Sequence, residues 1–279
     1  MVFLFFKMNL SAEQPIGIFD SGVGGLTVAH SIKALLPNEK IIYFGDTFHL
    51  PYGDKSSQSV RFYSRKISDF LLQKSCKTVV IACNTASASA FEEVRTHVDG
   101  RAIVLNVVDP VVKHLCEKDK TGTVGVIGTK GTINSGTYND KIRGFSPSTK
   151  VISKATPLFV PMIEEGFVND GISSSIIKAY LSDARFSNIH TLILGCTHYP
   201  IIRKQIEEFF YHAVKVIDSG HIVATELKRI LEKENLLNSH NGSDKHEFYV
   251  SDYTEFFETI SRTFFEEEVH LEKLDFWVT

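Results

Sequence analysis

Two short segments of this chain share one construction: a run of aliphatic residues, then a cysteine, then residues that favour the start of a helix. The first segment is Thr78–Ser87 and the second is Thr191–Pro200. Short aliphatic runs that contain β-branched residues predict buried strands. Cys83 and Cys196 are therefore expected where a strand ends and a helix begins, which is the position at which open α/β sheets bind their ligands.

A second pair of segments is also repeated. Ile16–Gly22 and Val124–Thr129 are both strand-like runs with glycine at the second position and glycine again in the following turn. Both kinds of segment recur at a spacing of about 110 residues, which indicates two similar α/β halves. Each half would offer one thiol to a shared cleft.

The rest of the chain alternates strand-like runs with residues at helical spacing. Ser56 or Ser57 is expected to cap a helix that buries Val60, Ile67 and Leu71. After the second cysteine, Pro200 suits the first turn of another helix. This alternation predicts an α/β fold with mainly parallel sheets.

Composition excludes several classes of protein. A hydrophobic content of 43%, a charged content of 23% and a formal charge of −3 are ordinary for a soluble enzyme and indicate no nucleic-acid partner. The four cysteines show no metal-finger spacing, so we expect reduced thiols and a cytoplasmic location. The apolar stretch Val2–Phe6 is too short for a signal peptide, and no stretch is long enough to span a membrane.

Two further loops are expected to contribute to the cleft. In the turn Asp20–Gly25 the glycines would bring backbone N–H groups close to something anionic. Pro157 and Pro161 argue against a regular helix, so this segment is predicted to be a loop that presents Glu164 or Glu165.

Two thiols that face each other suit the inversion of a carbon centre. Inversion requires a base on one face and an acid on the other, and a helix N-terminus beneath each thiol would lower its pKa toward neutrality. Asp20, Glu164 and His198 could orient the thiols or exchange protons with the substrate. No lysine sits in a comparable setting for a pyridoxal cofactor, and no cluster has the spacing of metal ligands, so we expect neither a cofactor nor a metal.

Simpler interpretations stay open for several of these residues. Asp20 could cap the next helix, and His198 could be a hydrogen-bonding residue at a helix start. Cys76 and Cys116 are interpreted as small core residues. Asp46 and Asp218 are predicted to be loop or cap residues and not catalysts.

The motifs together closely resemble those of the glutamate racemases, in the cofactor-independent aspartate/glutamate racemase family. The resemblance spans residues 16 to about 220 and departs from the usual residues at 48–50 and 109–111. It is carried by the following segments: Gly17–Gly25, Pro51–Gly53, Ala82–Ala86, Gly128-Thr129, Pro157–Pro161, Glu164–Gly166 and Leu194–Pro200.

The resemblance implies a role for each matching residue. Cys83 would remove the α-proton of D-glutamate and Cys196 that of L-glutamate, with Asp20, Glu164 and His198 in support. The implied substrate contacts are Asp20, Ser21, Tyr52, Gly53, Asn84, Thr85, Thr197 and His198.

It also implies the fold and the biological role. Two pseudo-symmetric α/β domains would enclose the active site, the first formed by residues 1–105 and 218–279 and the second by residues 106–217. Residues 1–14 are interpreted as an extension. The expected role is the supply of D-glutamate for peptidoglycan synthesis in bacteria, with glutamate as the small-molecule substrate, no nucleic-acid or membrane partner, and a homodimer left open.

Other functions fit part of the pattern. Aspartate racemase uses the same chemistry, because its substrate is one methylene shorter, and only the resemblance at Thr197-His198 favours glutamate. A thiol hydrolase with Cys196 as nucleophile would leave Cys83 unexplained. A binding module for a small dicarboxylate would need neither thiol to react.

Overall fold

The structure is a computed structural model that describes residues 10–118, 122–239, 245–253, 255–265 and 271–277. Strands and helices alternate through these residues, as predicted. The strands are β1 Ile16–Asp20, β2 Ile41–Gly45, β3 Thr78–Ile81, β4 Ile103–Asn106, β5 Thr123–Gly128, β6 Lys150–Ala155, β7 Ile189–Gly195, β8 Lys215–Ile217, β9 Glu247–Val250 and β10 Leu271–Lys273.

The helices lie between these strands. They are α1 Leu26–Leu35, α2 Ser57–Gln73, α3 Asn84–Val98, α4 Val108–Lys118, α5 Lys130–Asn134, α6 Thr137–Phe145, α7 Phe159–Glu164, α8 Gly171–Leu181, α9 Arg203–Phe209, α10 Gly220–Lys233 and α11 Glu255–Phe265. Short 3₁₀ helices occur at Thr47–His49, Tyr52–Asp54, Ala184–Phe186 and Tyr199–Ile202.

The strands form two sheets in which every pairing is parallel. The six-stranded sheet has the order β10-β9-β2-β1-β3-β4, and the four-stranded sheet has the order β6-β5-β7-β8. Thus β2-β1-β3-β4 of the first sheet and β6-β5-β7-β8 of the second have the same topology. The predicted repeat is confirmed, and the two cysteines follow equivalent strands, β3 and β7.

Continuous burial explains why the central strands read as aliphatic runs. Every residue of β1 and β3 is buried, because helices cover both faces of a parallel sheet. Two apolar clusters, one around Leu26 and Ile32 and the other around Val60 and Ile67, fill the two faces of the first sheet. The second sheet has its own pair of clusters.

The starts of α2 and α3 follow local capping. Ser56 caps α2 by accepting a hydrogen bond from the backbone N–H of Ser59, as expected. Cys83 itself caps α3, and its sulfur accepts from the N–H of Ala86.

The predicted loop before Glu164 is wrong, because Phe159–Glu164 is the short helix α7. Pro161 is the third residue of that helix. The first N–H groups of a helix have no intrahelical acceptor, so a proline in this turn removes no hydrogen bond. Met162 is the first residue of α7 whose N–H donates to a carbonyl four positions back, that of Leu158.

The predicted domain boundaries stay a prediction. The strands of the first sheet come from residues 16–106 and 247–273, and those of the second sheet from residues 123–217.

Residues 1–9 of the predicted N-terminal extension lie outside the described residues. Further along that extension, the carbonyl of Ala12 accepts a hydrogen bond of 2.5 Å from Lys77. Among the described residues, none of the helices combines the length and the apolar character needed to cross a bilayer.

Candidate active site

Both strand-end cysteines line one cavity between the two sheets. The cavity wall contains the following residues: Ser21, Pro51, Tyr52, Gly53, Cys83, Asn84, Thr85, Thr129, Val160, Cys196, Thr197 and His198. Cys83 and Cys196 are 5% and 6% exposed, so neither thiol is open to bulk water. A symmetric topology has therefore brought two thiols from distant parts of the chain to one enclosed place.

The cavity is nearly closed. It offers about 10 Å³ to the centre of a water-sized molecule, which is room for roughly one water. An amino acid can enter only if the walls separate. The described conformation therefore shows how the thiols and their neighbours are arranged around a cavity too small for an amino acid.

Cys83 lies in a buried setting with polar neighbours. Its sulfur lies 3.5 Å from the backbone nitrogen of Ala86 and 3.8 Å from the Ser21 hydroxyl oxygen. Burial raises the pKa of Cys83 far above its ordinary value, and the negative charges of Asp20 and Cys196 raise it further. The prediction of a lowered pKa is therefore wrong for Cys83 in this closed conformation, since the helix N-terminus does not outweigh burial.

Cys196 lies at the end of a row of ionisable groups. Its sulfur is 3.8 Å from Nδ1 of His198, and Nε2 of the same ring is 2.5 Å from Oε1 of Glu164. Burial would lower the pKa of His198, but its hydrogen bonds with Cys196 and Glu164 outweigh this and raise the pKa well above the ordinary histidine value. A protonated His198 can stabilise negative charge on the Cys196 sulfur.

The structure places Glu164 and Glu165 in different surroundings. Glu164 ends α7 and contacts His198, whereas Glu165 is exposed to solvent. The two prolines had argued against this helix. It directs the carboxylate of Glu164 toward the cavity and that of Glu165 toward solvent.

Asp20 supports the first half of the site from behind the cavity wall. It is fully buried, and its Oδ2 accepts the backbone N–H groups of Gly22 and Gly25 at 3.2 and 2.9 Å. Burial raises the pKa of Asp20, while the charge of His198 and these N–H groups act in the opposite direction. The anion held by the glycine-rich turn is thus the chain's own carboxylate.

The same turn also permits a close approach between the two halves. A Cβ atom on Gly24 would lie within 2.4 Å of Nδ1 of His198 and 2.6 Å of the Thr197 hydroxyl. Similarly, a Cβ on Gly53 would lie 2.4 Å from Cβ of Thr129. Glycine is therefore required at both places for the cavity to close.

Asn84 presents an unused hydrogen-bond donor at the cavity wall. Its Oδ1 accepts a bond of 2.7 Å from the hydroxyl of Tyr138, a buried residue of α6. Its Nδ2 is buried and has no hydrogen-bond partner among the residues that the structure describes. An unpaired buried donor is unfavourable, so this amide is ready to bind an acceptor such as a carboxylate.

Three hydroxyl groups join the halves beside Asn84. The hydroxyl oxygens of Thr85, Thr129 and Thr132 lie within 2.9 to 3.2 Å of one another. Thr85 lies in the first turn of α3, whereas Thr129 and Thr132 follow the first strand of the second half. This ring of hydroxyls holds two helix N-termini together at one edge of the cavity.

Most of the predicted site residues converge. Ser21, Tyr52, Gly53, Cys83, Asn84, Thr85, Cys196, Thr197 and His198 line the cavity, while Asp20 and Glu164 contact residues of the wall. Sequence reasoning placed Pro51, Thr129 and Val160 on no site list, and it missed Tyr138. Thr129 could have been found, because it follows β5 as Ser21 follows β1.

Size alone does not locate this site. A larger hollow of about 660 Å³ lies beside α2 and is lined by Cys76 and Arg101, but it holds none of the predicted site residues. Cys76 is 2% exposed, and burial raises its pKa to about 12. Cys116 is half-buried.

In the part of the chain that the structure describes, no three His, Cys, Asp or Glu residues form a group that could hold a metal ion.

Comparison with known proteins defines the class. The chain matches the Asp/Glu/Hydantoin racemase family over residues 26–227. It is 41% identical over 256 residues to the glutamate racemase of Chlorobaculum parvum, covering 92% of this chain and 94% of that protein. It is 42% identical over 239 residues to the glutamate racemase of Geobacter metallireducens, covering 86% and 88%.

A solved structure agrees with these relatives. The glutamate racemase of Francisella tularensis subsp. tularensis SCHU S4, crystallised in complex with D-glutamate, superposes with a TM-score of 0.88. It is 39% identical, and the match covers 96% of this chain and 100% of that one. The chain belongs to the Asp/Glu/hydantoin racemase family.

Proposed function

We propose that this chain is a glutamate racemase, an isomerase that interconverts L- and D-glutamate with two thiols and no cofactor. The observation that carries the proposal is the pair of thiols, Cys83 and Cys196, which reach one cavity from equivalent strand ends of the two halves. Glutamate racemases that are about 40% identical over most of the chain support the choice of substrate.

In the L-to-D direction the second half starts the reaction. The Cys196 thiolate takes the α-proton of L-glutamate, and the electron pair of the broken C–H bond moves into the α-carboxylate. The Cys83 thiol then gives its proton to the opposite face of the α-carbon, which forms D-glutamate. Cys83 ends as the thiolate and Cys196 as the thiol, so the reverse reaction begins from the product state.

The neighbouring groups differ in the protons they can hold. Burial keeps Cys83 protonated, which suits a proton donor, while protonated His198 stabilises the Cys196 thiolate. The charge of Asp20 acts on Cys83, and we assign this carboxylate to exchange a proton with the substrate's ammonium group or with the thiol. Glu164 holds the His198 ring in place.

Substrate recognition uses neutral groups. We assign the unpaired Nδ2 of Asn84 to a substrate carboxylate, together with Ser21, Thr85 and Thr197 and the loop residues Tyr52 and Gly53. Neutral hydrogen-bond donors hold a carboxylate without a permanent countercharge. His198 contributes a positive charge close to the same cavity.

The wider role follows from this activity. We propose that the D-glutamate serves bacterial peptidoglycan synthesis and that the enzyme works in the cytoplasm as a monomer or a homodimer. All four cysteines are unpaired, as a thiol-based reaction requires. The proposed domains are residues 1–105 with 218–279, and residues 106–217.

A thiol hydrolase is the second candidate, and one observation favours it. The row of contacts from Cys196 through His198 to Glu164 has the arrangement of a nucleophile, a base and a carboxylate that orients the base. This arrangement would not require Cys83 to reach the same cavity. A chain that hydrolyses amides would be trapped as an acyl-enzyme on Cys196, whereas a racemase would not.

The direct test follows the optical activity of L-glutamate incubated with metal-stripped, cofactor-free protein. The ellipticity is expected to decay to zero, the value of the racemic mixture. A parallel incubation with L-aspartate separates the two racemases, because the proposed enzyme is expected to act far more slowly on it. Persistent ellipticity of L-glutamate at high protein concentration would overturn the proposal.

A further inference from the structure

Asp46 is a buried carboxylate that none of the proposed steps uses. It follows β2 directly, is fully buried, and its backbone N–H donates to the carbonyl of Asp20 at 2.9 Å. It therefore lies next to the proposed active site on the adjacent strand. The sequence suggested only a loop or cap residue at this place.

Four side chains donate hydrogen bonds to the Asp46 carboxylate. Oδ2 accepts the hydroxyl of Tyr52 at 2.6 Å and Nδ1 of His49 at 2.9 Å. Oδ1 accepts the hydroxyl of Ser251 and the indole N–H of Trp277, both at 2.7 Å. Each carboxylate oxygen thus accepts two hydrogen bonds. The donors come from separate parts of the chain: the loop of residues 47–54, which we call the substrate loop, the residue after β9, and the C-terminal segment.

Aromatic rings enclose this carboxylate. The rings of His49 and Tyr63 stack at a centroid distance of 3.8 Å, and Trp277 contacts both by its edge, at 4.7 and 5.2 Å. The ring of Tyr52 lies 5.7 Å from that of Tyr63. Since buried hydrogen bonds to a charged group are stronger than neutral ones, this cluster fixes the carboxylate and its donors in one arrangement.

The substrate loop is also hydrogen-bonded to the residues that follow β9. The hydroxyl of Thr47 donates to the carbonyl of Asp252 at 2.5 Å and accepts from its N–H at 2.8 Å, and the N–H of Phe48 donates to the Ser251 hydroxyl at 3.0 Å. The substrate loop is therefore held from two sides, with Asp46 at the centre.

We propose that Asp46 is a positioning residue for Tyr52 and Gly53 of the substrate loop. Through Trp277, the C-terminal segment also helps to position the substrate-binding residues. This inference rests on the proposed function. Tyr52 lines the cavity and its hydroxyl donates to Asp46, so the carboxylate fixes the position of Tyr52 and of the adjacent Gly53. Gly53 in turn packs against Thr129, where no side chain fits.

The first test is Asp46→Asn, which keeps the shape but turns an amide N–H₂ toward groups that are themselves donors. We expect the KM for glutamate to rise about tenfold with a much smaller change in kcat, because the loop binds substrate and does not transfer protons. The matched control is Asp183→Asn. Asp183 also accepts several donors, among them Lys154 at 2.9 Å, but it lies in the second half and outside the cavity.

Two milder variants keep the test valid if Asp46→Asn does not fold. Trp277→Phe and Ser251→Ala each remove a single donor to Oδ1 and are expected to raise the KM about threefold. Thermal unfolding of every variant is measured alongside. A purely structural role would lower the unfolding temperature without separating KM from kcat.

Trp277 also supplies its own signal, because it is the single tryptophan of the chain. The cavity must widen to admit glutamate, so its binding moves Tyr52 and the residues bonded to Asp46. Glutamate is therefore expected to change the emission of Trp277 with a midpoint that shifts about tenfold in Asp46→Asn.

The outcomes separate the two proposals. Wild-type protein that does not racemise glutamate would overturn the proposed function and this inference with it. Active wild-type protein whose Asp46→Asn, Trp277→Phe and Ser251→Ala variants keep an unchanged KM would overturn this inference alone. So would a Trp277 emission that saturating glutamate leaves unchanged.

Discussion

The regions around Cys83 and Cys196 have the same backbone topology but different side chains around the thiol. Each cysteine follows the third strand of a β-α-β-α-β unit with the same strand order. Around Cys83 the nearest side chain is the hydroxyl of Ser21, with the buried Asp20 behind it. Around Cys196 the neighbours are His198 and Glu164, which can carry opposite charges.

The position two residues after each cysteine shows the difference best. In the first half it is Thr85, whose hydroxyl joins a ring with two other threonines. In the second half it is His198, which links the thiol to a carboxylate. Repetition of the fold thus places the two thiols, while the side chains around them differ, so the proposed proton transfers are supported unequally on the two sides.

The largest expected effect comes from removing either thiol. Cys83→Ala and Cys196→Ala should each reduce racemisation in both directions at least about 10³-fold, because each thiol is the base in one direction and the acid in the other. Polarimetry of L- and D-glutamate measures both directions. A variant that kept racemisation within about tenfold of the wild type would show that another group transfers that proton.

Removing the supporting groups should reveal the asymmetry. His198→Asn is expected to lower kcat about 10²-fold, and more for L-glutamate than for D-glutamate, since His198 contacts the thiol proposed to act on the L enantiomer. Because kcat/KM must stay equal for the two enantiomers, the ratio of the two KM values is expected to shift together with the ratio of the two kcat values. Asp20→Asn should show the opposite preference. The kcat and KM of both enantiomers are compared, and equal losses for both would mean that the two halves work as one acid–base unit. A change in KM alone would make the residue a binding group.

A smaller effect is expected from the residue that orients Asn84. Tyr138→Phe removes the hydroxyl that fixes the amide, so Nδ2 loses its fixed direction. The KM should rise about threefold to tenfold with kcat nearly unchanged. Tyr211→Phe, at a position 90% exposed, is the control. Equal KM values in the two variants would remove Tyr138 from the binding site.

The smallest effect on activity is expected at the third buried thiol. Cys76→Ala should leave racemisation nearly unchanged, because Cys76 lies outside the cavity. Its pKa is about 12 in the folded chain against an ordinary value of 9.0, so its contribution to stability is present below pH 9 and is lost as the pH rises toward 12.

Urea unfolding at two pH values tests this loss. From pH 8 to pH 10 the unfolding free energy of the wild type should fall by about 1.4 kcal/mol more than that of Cys76→Ala. An equal fall in both proteins would show that Cys76 ionises as readily in the folded chain as in the unfolded one.

The fold was predictable from sequence because its signals are local. Aliphatic strands, glycine turns and helical spacing repeat in both halves, and the strand ends that carry Cys83 and Cys196 follow from them. The electrostatics were not predictable. Whether burial or the helix N-terminus sets the pKa of Cys83 depends on how tightly the halves close, which no local pattern records.

Two other features of the site were hidden for related reasons. Pro161 suggested a loop, although a proline in the first turn of a helix removes no hydrogen bond, and so the helix that carries Glu164 was missed although Glu164 itself was named. The Asp46 cluster depends on contacts with Ser251 and Trp277, which lie more than 200 residues away along the chain. Such contacts have no sequence period that could indicate them.

The most direct test of the two-thiol account is the fate of the α-hydrogen in deuterated water. At low conversion of L-glutamate, the D-glutamate product should carry one solvent deuterium, while the remaining L-glutamate keeps its hydrogen. The reason is that Cys196 returns its proton only to the face it came from, whereas Cys83 delivers deuterium to the other face. Mass spectrometry of the separated enantiomers measures both. Product that retains the original hydrogen would mean that one base serves both faces, and this would contradict the account.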